Sequence, residues 1–196
     1  MSIAVSTVET RVRKITRRDN TTELTDAALD AMILEACREI SKRLLCLKTS
    51  TTGTLAGDGT GITAPSDMVE SDSAIEELYL DTNLLDRITF AEWRAGKISG
   101  YCYHNGTIYV TPTSNSSRSY TLYYSTVHGA LSTNLEFDDD LKMAVIWLTC
   151  KKTYENYLAE AADVARSQKA EREYEREIHL NAPATVTVSR MRTIRE

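Results

Sequence analysis

The sequence has no long apolar run, only four cysteines and only three histidines. No stretch approaches the roughly 18–20 apolar residues of a membrane span. The first six residues lack the basic and then apolar layout of a signal peptide. Cys37, Cys46, Cys102 and Cys150 lie far apart and form no C-x-x-C pair. These absences argue against a membrane protein, a disulfide framework and a zinc site, and they favour a reducing compartment.

The chain also lacks an excess of basic residues, since 23 Lys and Arg stand against 28 Asp and Glu, a net charge of -5. This balance excludes a generic basic nucleic-acid binder. The charge is uneven, because residues 49–140 hold four basic and thirteen acidic residues, whereas residues 1–48 and 141–196 each carry a net charge of +2. With 196 residues, 42% of them hydrophobic, the composition is typical of one ordinary folded domain.

Hydrophobic periodicity predicts helices at both ends of the chain and strands between them. A valine stripe behind a Ser6–Glu9 capping box indicates the first helix, a second helix follows from about Thr25, and the two are expected to pack as a hairpin. A long helix is predicted from about Asp138 to His179, with its polar end, residues 166–178, extending beyond the core.

We therefore predict an α+β fold in which two N-terminal helices and one long C-terminal helix form a bundle. The bundle comprises residues 1–48 and 138–180, and a small antiparallel sheet is inserted at residues 49–130. Residues 1–180 form one domain under this prediction, and residues 181–196 form an extended tail.

The clearest local signal is Asn105-Gly106 between two alternating segments, Tyr101–His104 and Thr107–Val110. Both central residues of a type I′ turn need a positive φ, which Asn and Gly tolerate, so this segment predicts a hairpin. A third strand, residues 120–126, is predicted to complete a meander. Within it the neighbours Tyr123 and Tyr124 point to opposite faces, one towards the core and one towards solvent or a partner.

No catalytic or metal-binding constellation is present, because no nucleophile is tied to a base. The run Asp138–Asp140 is interpreted as the start of a helix, where the helix dipole favours acidic residues, more readily than as a metal site. The glycine-rich segment lacks the Lys-Ser/Thr of a phosphate loop, so we predict a projecting hairpin or loop. We expect no enzymatic activity, no cofactor and no metal. The loop residues are Gly53, Gly57, Asp58, Gly59 and Gly61.

A basic cluster on the first helix has two readings. Its members, Arg11, Arg13, Lys14, Arg17 and Arg18, suit contacts to DNA phosphates or to a neighbouring subunit. They suit more readily the solvated face of a helix whose other face is apolar.

The last segment predicts a docking tail. Pro183 ends the long helix, and Thr185–Ser189 alternates as an extended strand does when it pairs with an exposed sheet edge. The segment has too little apolar area to fold by itself, so we expect it to become ordered on a partner. The residues predicted to dock are Val186, Val188, Arg190, Met191, Arg192, Ile194 and Arg195.

In this order of elements the sequence resembles the head-to-tail adaptor, or connector, proteins of tailed bacteriophages, especially the short-tailed ones. The matching segments begin with the turn Ala64–Met68 before Ile75–Leu80 and continue with Tyr103–Pro112. Tyr120–Tyr124 follows, and the chain then passes through Ala130–Ser132 to Phe137 and the long helix. The likeness covers about residues 5–165.

The resemblance implies a structural protein of the virion neck, assembled in the host cytoplasm. It implies a homo-oligomeric ring, commonly of 12 copies, between the portal protein and the tail or nozzle proteins. Double-stranded DNA would pass through the channel without sequence-specific binding, and no membrane contact is implied. The tail is expected to dock on the portal, which would supply an acidic surface for its arginines.

Two alternatives stay open at this point. One is a DNA-binding packaging or regulatory protein that uses the basic face of the first helix, for which DNA retention should weaken steeply with salt. The other is a small hydrolase, for which a monomer with a ligand-bound pocket would be expected.

Overall fold

The computed structural model describes residues 2–18, 23–57, 61–96, 98–111, 113, 116–157 and 161–181. The helices are α1 (Val5–Thr16), α2 (Asp26–Leu44), α3 (Phe90–Ala95), α4 (Lys142–Asn156) and α5 (Ala161–Asn181). The strands are β1 (Ser2–Ala4), β2 (Lys48–Leu55), β3 (Ile62–Thr63), β4 (Ile75–Leu80), β5 (Asn83–Leu84), β6 (Gly100–His104), β7 (Thr107–Thr111), β8 (Arg118–Ser125) and β9 (Asn134–Asp138). None of these helices is long and apolar enough to span a membrane.

The predicted helical bundle with one small inserted sheet is wrong. Within the described residues the fold is α+β, with five α-helices and nine strands in three antiparallel sheets, ordered β1-β9, β2-β8-β4-β5 and β3-β7-β6. The first sheet lies outside the predicted insert, because β1 precedes α1 and pairs with β9 just before α4. Its alternating Ile3, Leu135 and Phe137 are buried in the helical core, and this alternation is what selects strands there.

The hairpin around Asn105-Gly106 is confirmed, but the meander is wrong. β6 and β7 pair from Gly100 opposite Thr111 to His104 opposite Thr107, and φ is 49° at Asn105 and 77° at Gly106. β8 does not join them. It lies instead between β2 and β4 in the four-stranded sheet. Its partners lie at least 40 positions away in β4 and more than 60 positions away in β2.

The helical half is organised around α4. Both N-terminal helices pack mainly against α4 and touch each other at few positions, so the predicted helical hairpin is wrong. The valine stripe is buried as predicted, with Val5, Val8 and Val12 in the core. The predicted capping box is absent, because α1 begins at Val5 directly after the strand and its N-cap residue Ala4 has no capping side chain.

The long C-terminal helix is two helices, which corrects the prediction of a single one. α4 ends at Asn156, and α5 folds back along it, with the Lys151 ammonium 2.9 Å from Glu171 Oε1. The Arg43 guanidinium of α2 donates two hydrogen bonds of 2.6 Å to the carboxylate of Glu175. α5 therefore does not extend beyond the core. Its buried face consists of Ser167, Ala170, Tyr174 and Ile178.

A second core fills the sheet half. It is built from alternating residues of β4, β7 and β8, among them Leu78, Ile108 and Leu122, which are fully buried. The short helix α3 lies on β6 and β7. Its N-terminus carries a capping box, in which the Glu92 amide donates to Thr89 Oγ1 and the Thr89 amide donates to the Glu92 carboxylate.

Candidate interaction surfaces

A network of hydrogen bonds fixes the sheet half against the helical half. The carboxylate of Asp67 accepts from the hydroxyls of Tyr124, at 3.0 Å, and Thr126, at 3.1 Å. The Ser125 hydroxyl donates to the carbonyl of Leu45, at 3.0 Å, just after α2. The Ser125 bond crosses from the end of β8 to the end of α2 and so ties the two halves together, whereas the Asp67 bonds lie within the sheet half.

His128 completes this junction as a buried structural residue. Its backbone amide donates to Ser41 Oγ at 3.1 Å, and its ring Nε2 accepts from the Glu136 amide at 3.2 Å. Nδ1 lies 3.1 Å from the carbonyl of Gly129. Because one ring nitrogen accepts and the other faces a carbonyl, these contacts select the neutral tautomer that carries its proton on Nδ1.

The pH dependence of stability should report on the hydrogen bond between Tyr124 and Asp67. Burial and the hydrogen bond to Asp67 raise the pKa of Tyr124 from 10 to about 12. The folded state therefore holds this proton more tightly than the unfolded state, so the stabilisation is complete below pH 10 and is lost as the pH rises towards 12. We expect Tyr124→Phe to cost about 1 kcal/mol near neutral pH, through the lost hydrogen bond, and to make the alkaline decline shallower.

Urea unfolding of both proteins over roughly pH 8 to 11 measures this difference. Parallel declines in the free energy of unfolding would show that Tyr124 does not contribute to the alkaline transition.

The basic cluster of α1 is divided between internal and exposed groups. The Arg13 guanidinium donates to the carbonyl of Leu24 at 2.7 Å and to Asp26 at 2.6 Å. Arg18 donates to the carbonyl of Tyr157 at 2.7 Å. These two arginines tie α1 to neighbouring segments and have a structural role.

The other three members of the cluster, Arg11, Lys14 and Arg17, are exposed. Their predicted contact with DNA or with a neighbouring subunit stays a prediction.

A groove between α1 and α4 lies beside these exposed cations, and we call it the basic groove. Its volume is about 640 Å³, and Met143 and Ile146 contribute apolar side chains to it. The residues that line it are Ser6, Thr7, Thr10, Arg11, Lys14, Lys142, Met143 and Ile146. None of them is acidic, and the only ion pair among these lining residues within the described chain joins Lys142 to Asp139 at 3.6 Å.

A smaller recess of about 200 Å³ continues the basic groove along α1. Arg17, Arg166 and Lys169 contribute cations to its lining, and the half-buried Trp147 contributes an aromatic ring. The positive surface therefore extends over α1, α4 and α5, with apolar side chains between its charges.

The outward face of the four-stranded sheet carries aromatic, apolar and hydroxyl side chains and one carboxylate. Pairing aligns Thr52 with Thr121 and Tyr79, and it aligns Tyr79 with Leu84, so these side chains share one face. The Tyr79 and Tyr123 rings meet edge to face, with centroids 6.1 Å apart. We call this the tyrosine face, made of Thr52, Glu77, Tyr79, Leu84, Thr121 and Tyr123.

Large apolar groups are unusually exposed on the tyrosine face. Leu84 is 54% and Tyr123 41% exposed, while Tyr124, on the opposite side of the strand, is buried, which confirms that one of the two neighbouring tyrosines faces the core and the other does not. The Tyr79 hydroxyl donates to the Glu77 carboxylate at 3.0 Å. The alternation of the tyrosines indicated that one of them would be exposed. It did not indicate that Tyr79 and Leu84 would lie beside that tyrosine, because strand order decides this.

The docking residues and residues 58–60 of the predicted loop lie outside the described residues. Gly53 lies within β2, opposite Tyr120, and not in the loop where the prediction placed it. The loop residues Asp58 and Gly59 are not among the described residues, and neither are the docking residues Val186, Val188, Arg190, Met191, Arg192, Ile194 and Arg195.

The cysteines have the environment of structural residues. Burial raises the pKa of the Cys37 and Cys150 thiols to about 12, and it also raises the pKa of Cys46 and Cys102. A nucleophilic or metal-binding thiolate is therefore disfavoured at neutral pH. Across the described part of the chain, no group of three or more His, Cys, Asp or Glu side chains is arranged to hold a metal ion.

Comparison with known protein families gives one match that spans almost the whole chain. The family model described as SU10 adaptor protein matches residues 3–194. Among curated proteins none matches this chain.

Proposed function

The chain belongs to the SU10 adaptor protein family, and from this membership we propose that it forms a ring between the portal and the tail of the virion. The family match confirms the resemblance to phage head-to-tail adaptors and identifies a structural component of the virion neck. The proposal adds that the ring extends the DNA channel, presents a platform for tail or nozzle proteins, and holds about 12 copies, as the resemblance implies.

The observation that carries this proposal is the match over residues 3–194, which includes both halves of the fold. The surfaces support it, since a subunit with a basic groove and a separate tyrosine face can bind two neighbours at once. The adaptor family is structural, and the proposal assigns the chain no catalytic activity and no cofactor.

In this proposal DNA passes through the ring without sequence-specific contact. The net charge of -9 on residues 49–140 would repel phosphates wherever this segment lines the channel and so limit adhesion. The alternative is a packaging or regulatory protein that binds DNA through α1. Arg11, Lys14 and Arg17 are exposed and favour it, whereas Arg13 and Arg18 are engaged internally.

The proposal includes docking of residues 181–196 on the portal. Asn181, the first residue of this segment, is the last residue of α5, and Leu180 before it is exposed. Arginines at 190, 192 and 195 would meet acidic groups of the portal, and Met191 and Ile194 would supply apolar anchors.

Electron microscopy of the purified chain, alone and mixed with portal, tests the ring. We expect closed rings with a central opening, either free or stacked on portal. Monomers that ignore portal would contradict the proposal. Retention on DNA that weakens steeply with salt, with no ring under any condition, would support the DNA-binding alternative.

A further inference from the structure

We propose that neighbouring copies bind through the basic groove of one copy and the tyrosine face of the next. This inference rests on the proposed ring and specifies its contact. The occupant of the groove is a second copy of this chain, and the contact is between two different surfaces.

A ring requires such a contact. In a closed ring of more than two copies, each interface joins two different patches, and every copy presents both of them. In this chain the basic groove lies on α1 and α4 of the helical half, and the tyrosine face lies on the four-stranded sheet of the other half. The hydrogen bonds from Ser125 to Leu45 and from His128 to Ser41 hold the halves together, so the two patches keep a fixed relation.

The chemistry of the groove favours a protein occupant over DNA. Met143 and Ile146 lie between its cations, and protein interfaces bury apolar groups of this kind at their centre with charges at the rim. Ile146 is already buried in the helical core, so the half-buried Met143 is the apolar group that a phosphate backbone would leave without a partner. The exposed hydroxyls of Ser6 and Thr7 in the groove can donate to carboxylates or carbonyls of a protein.

The tyrosine face carries groups that can bind the cations of the basic groove. Tyrosine is enriched in interfaces because it provides a large contact area with a polar tip, and Tyr79 and Tyr123 stand together on this face. Glu77 supplies a carboxylate, in a segment of the chain with a net charge of -9. Arg11 and Lys14 of the next copy can therefore pair with Glu77 and lie over the tyrosine rings.

Another aromatic cluster of the surface is a weaker candidate. Phe90, Trp93, His104 and Tyr109 stack on one another, with Phe90 and His104 centroids 4.1 Å apart. These rings already pack against one another within one subunit. Nothing in the described residues indicates what would cover them.

Two complementary variants of the full chain test the contact. The groove variant carries Arg11→Glu and Lys14→Glu, and the face variant carries Leu84→Arg and Tyr123→Arg. All four positions are exposed, so we expect both variants to fold, which circular dichroism checks. Arg172→Glu, an exposed charge reversal on α5 away from the groove, is the matched control.

We expect the control to form rings like the parent chain and each variant alone to stay monomeric by mass photometry and electron microscopy. An equimolar mixture of the two variants should give dimers and nothing larger, because one intact groove can bind one intact face and the remaining patches are blocked. Raising the salt concentration should dissociate these dimers, since the paired charges lie near the surface.

Several results would overturn the inference. Rings formed by either variant alone would exclude this contact while leaving the ring proposal intact. Mixtures that stay monomeric beside ring-forming parent chain would show that groove and face do not bind each other. A groove variant that forms rings but loses retention on DNA would assign the groove to DNA. A parent chain that never associates, alone or with portal, would reject the proposed function itself.

Discussion

Replacing Tyr174 by alanine is expected to lower the free energy of unfolding by about 3 kcal/mol. Tyr174 lies on the buried face of α5, where it is 2% exposed, and the Arg43 guanidinium lies 5.4 Å from its ring centroid. Truncation would remove the ring from the helical core and leave a cavity between α5 and its neighbours. For a chain of this length the melting temperature should fall by roughly 6–12 °C.

Two further variants separate this effect from a general weakness of the helix. Tyr174→Phe keeps the ring and should retain most of the stability. Arg172→Ala, two residues away on the exposed side, should change the melting temperature little, because exposed positions contribute within about 0.5 kcal/mol. Equal melting temperatures for Tyr174→Ala and Arg172→Ala would mean that α5 does not pack on the core.

The sequence predicted α5 only in part, because its apolar residues are sparse. Ala170, Tyr174 and Ile178 recur every four residues among charged neighbours, a spacing that places them on one side of a helix. The charges dominated the composition of this segment and suggested an exposed helix. The stripe from Met143 to Val164 also runs on at helical spacing, so periodicity alone did not reveal the break after Asn156. In the fold Val164 is 48% exposed.

Local signals predicted the turn at Asn105-Gly106 but not the sheets. These two residues specify their own conformation through positive φ, so a few adjacent residues suffice to predict the turn. The position of β8 between β2 and β4 depends instead on burying Leu122 against Leu78 across long stretches of chain. The pairing of β1 with β9 is likewise non-local, and three-residue β1 is too short to carry a recognisable pattern.

The interaction surfaces, too, were predicted only where residues close together in the chain determine them. The basic residues of α1 were recognised from the sequence as a group, but the internal hydrogen bonds of Arg13 and Arg18 depend on where Leu24 and Tyr157 lie. The tyrosine face required the strand order before its members could be placed together. Predictions about the loop at residues 58–60 and the tail beyond residue 181 lie outside the described residues and await experiment.

Removing residues 182–196 is expected to abolish attachment of the chain to portal-bearing heads while leaving the subunit folded. The truncation keeps α5 to its last residue, Asn181, and it keeps the buried Ile178 that anchors this end of the helix. All the described residues of both hydrophobic cores are kept. We therefore expect the melting temperature to change little, and co-sedimentation with heads to fall to background.

Variants of the full-length chain distinguish charge from strand pairing in this tail. Replacing Arg190, Arg192 and Arg195 by glutamine removes the cations and keeps the alternating segment, so attachment should weaken and lose its salt dependence if acidic portal groups hold the tail. Replacing Val186 and Val188 by proline removes backbone donors that a β-pairing partner would use, and attachment should be lost at any salt concentration. Ring formation without portal serves as the control for both variants. A truncated chain that joins heads normally would show that another surface docks on the portal, and one that unfolds would show that the tail belongs to the subunit's own core.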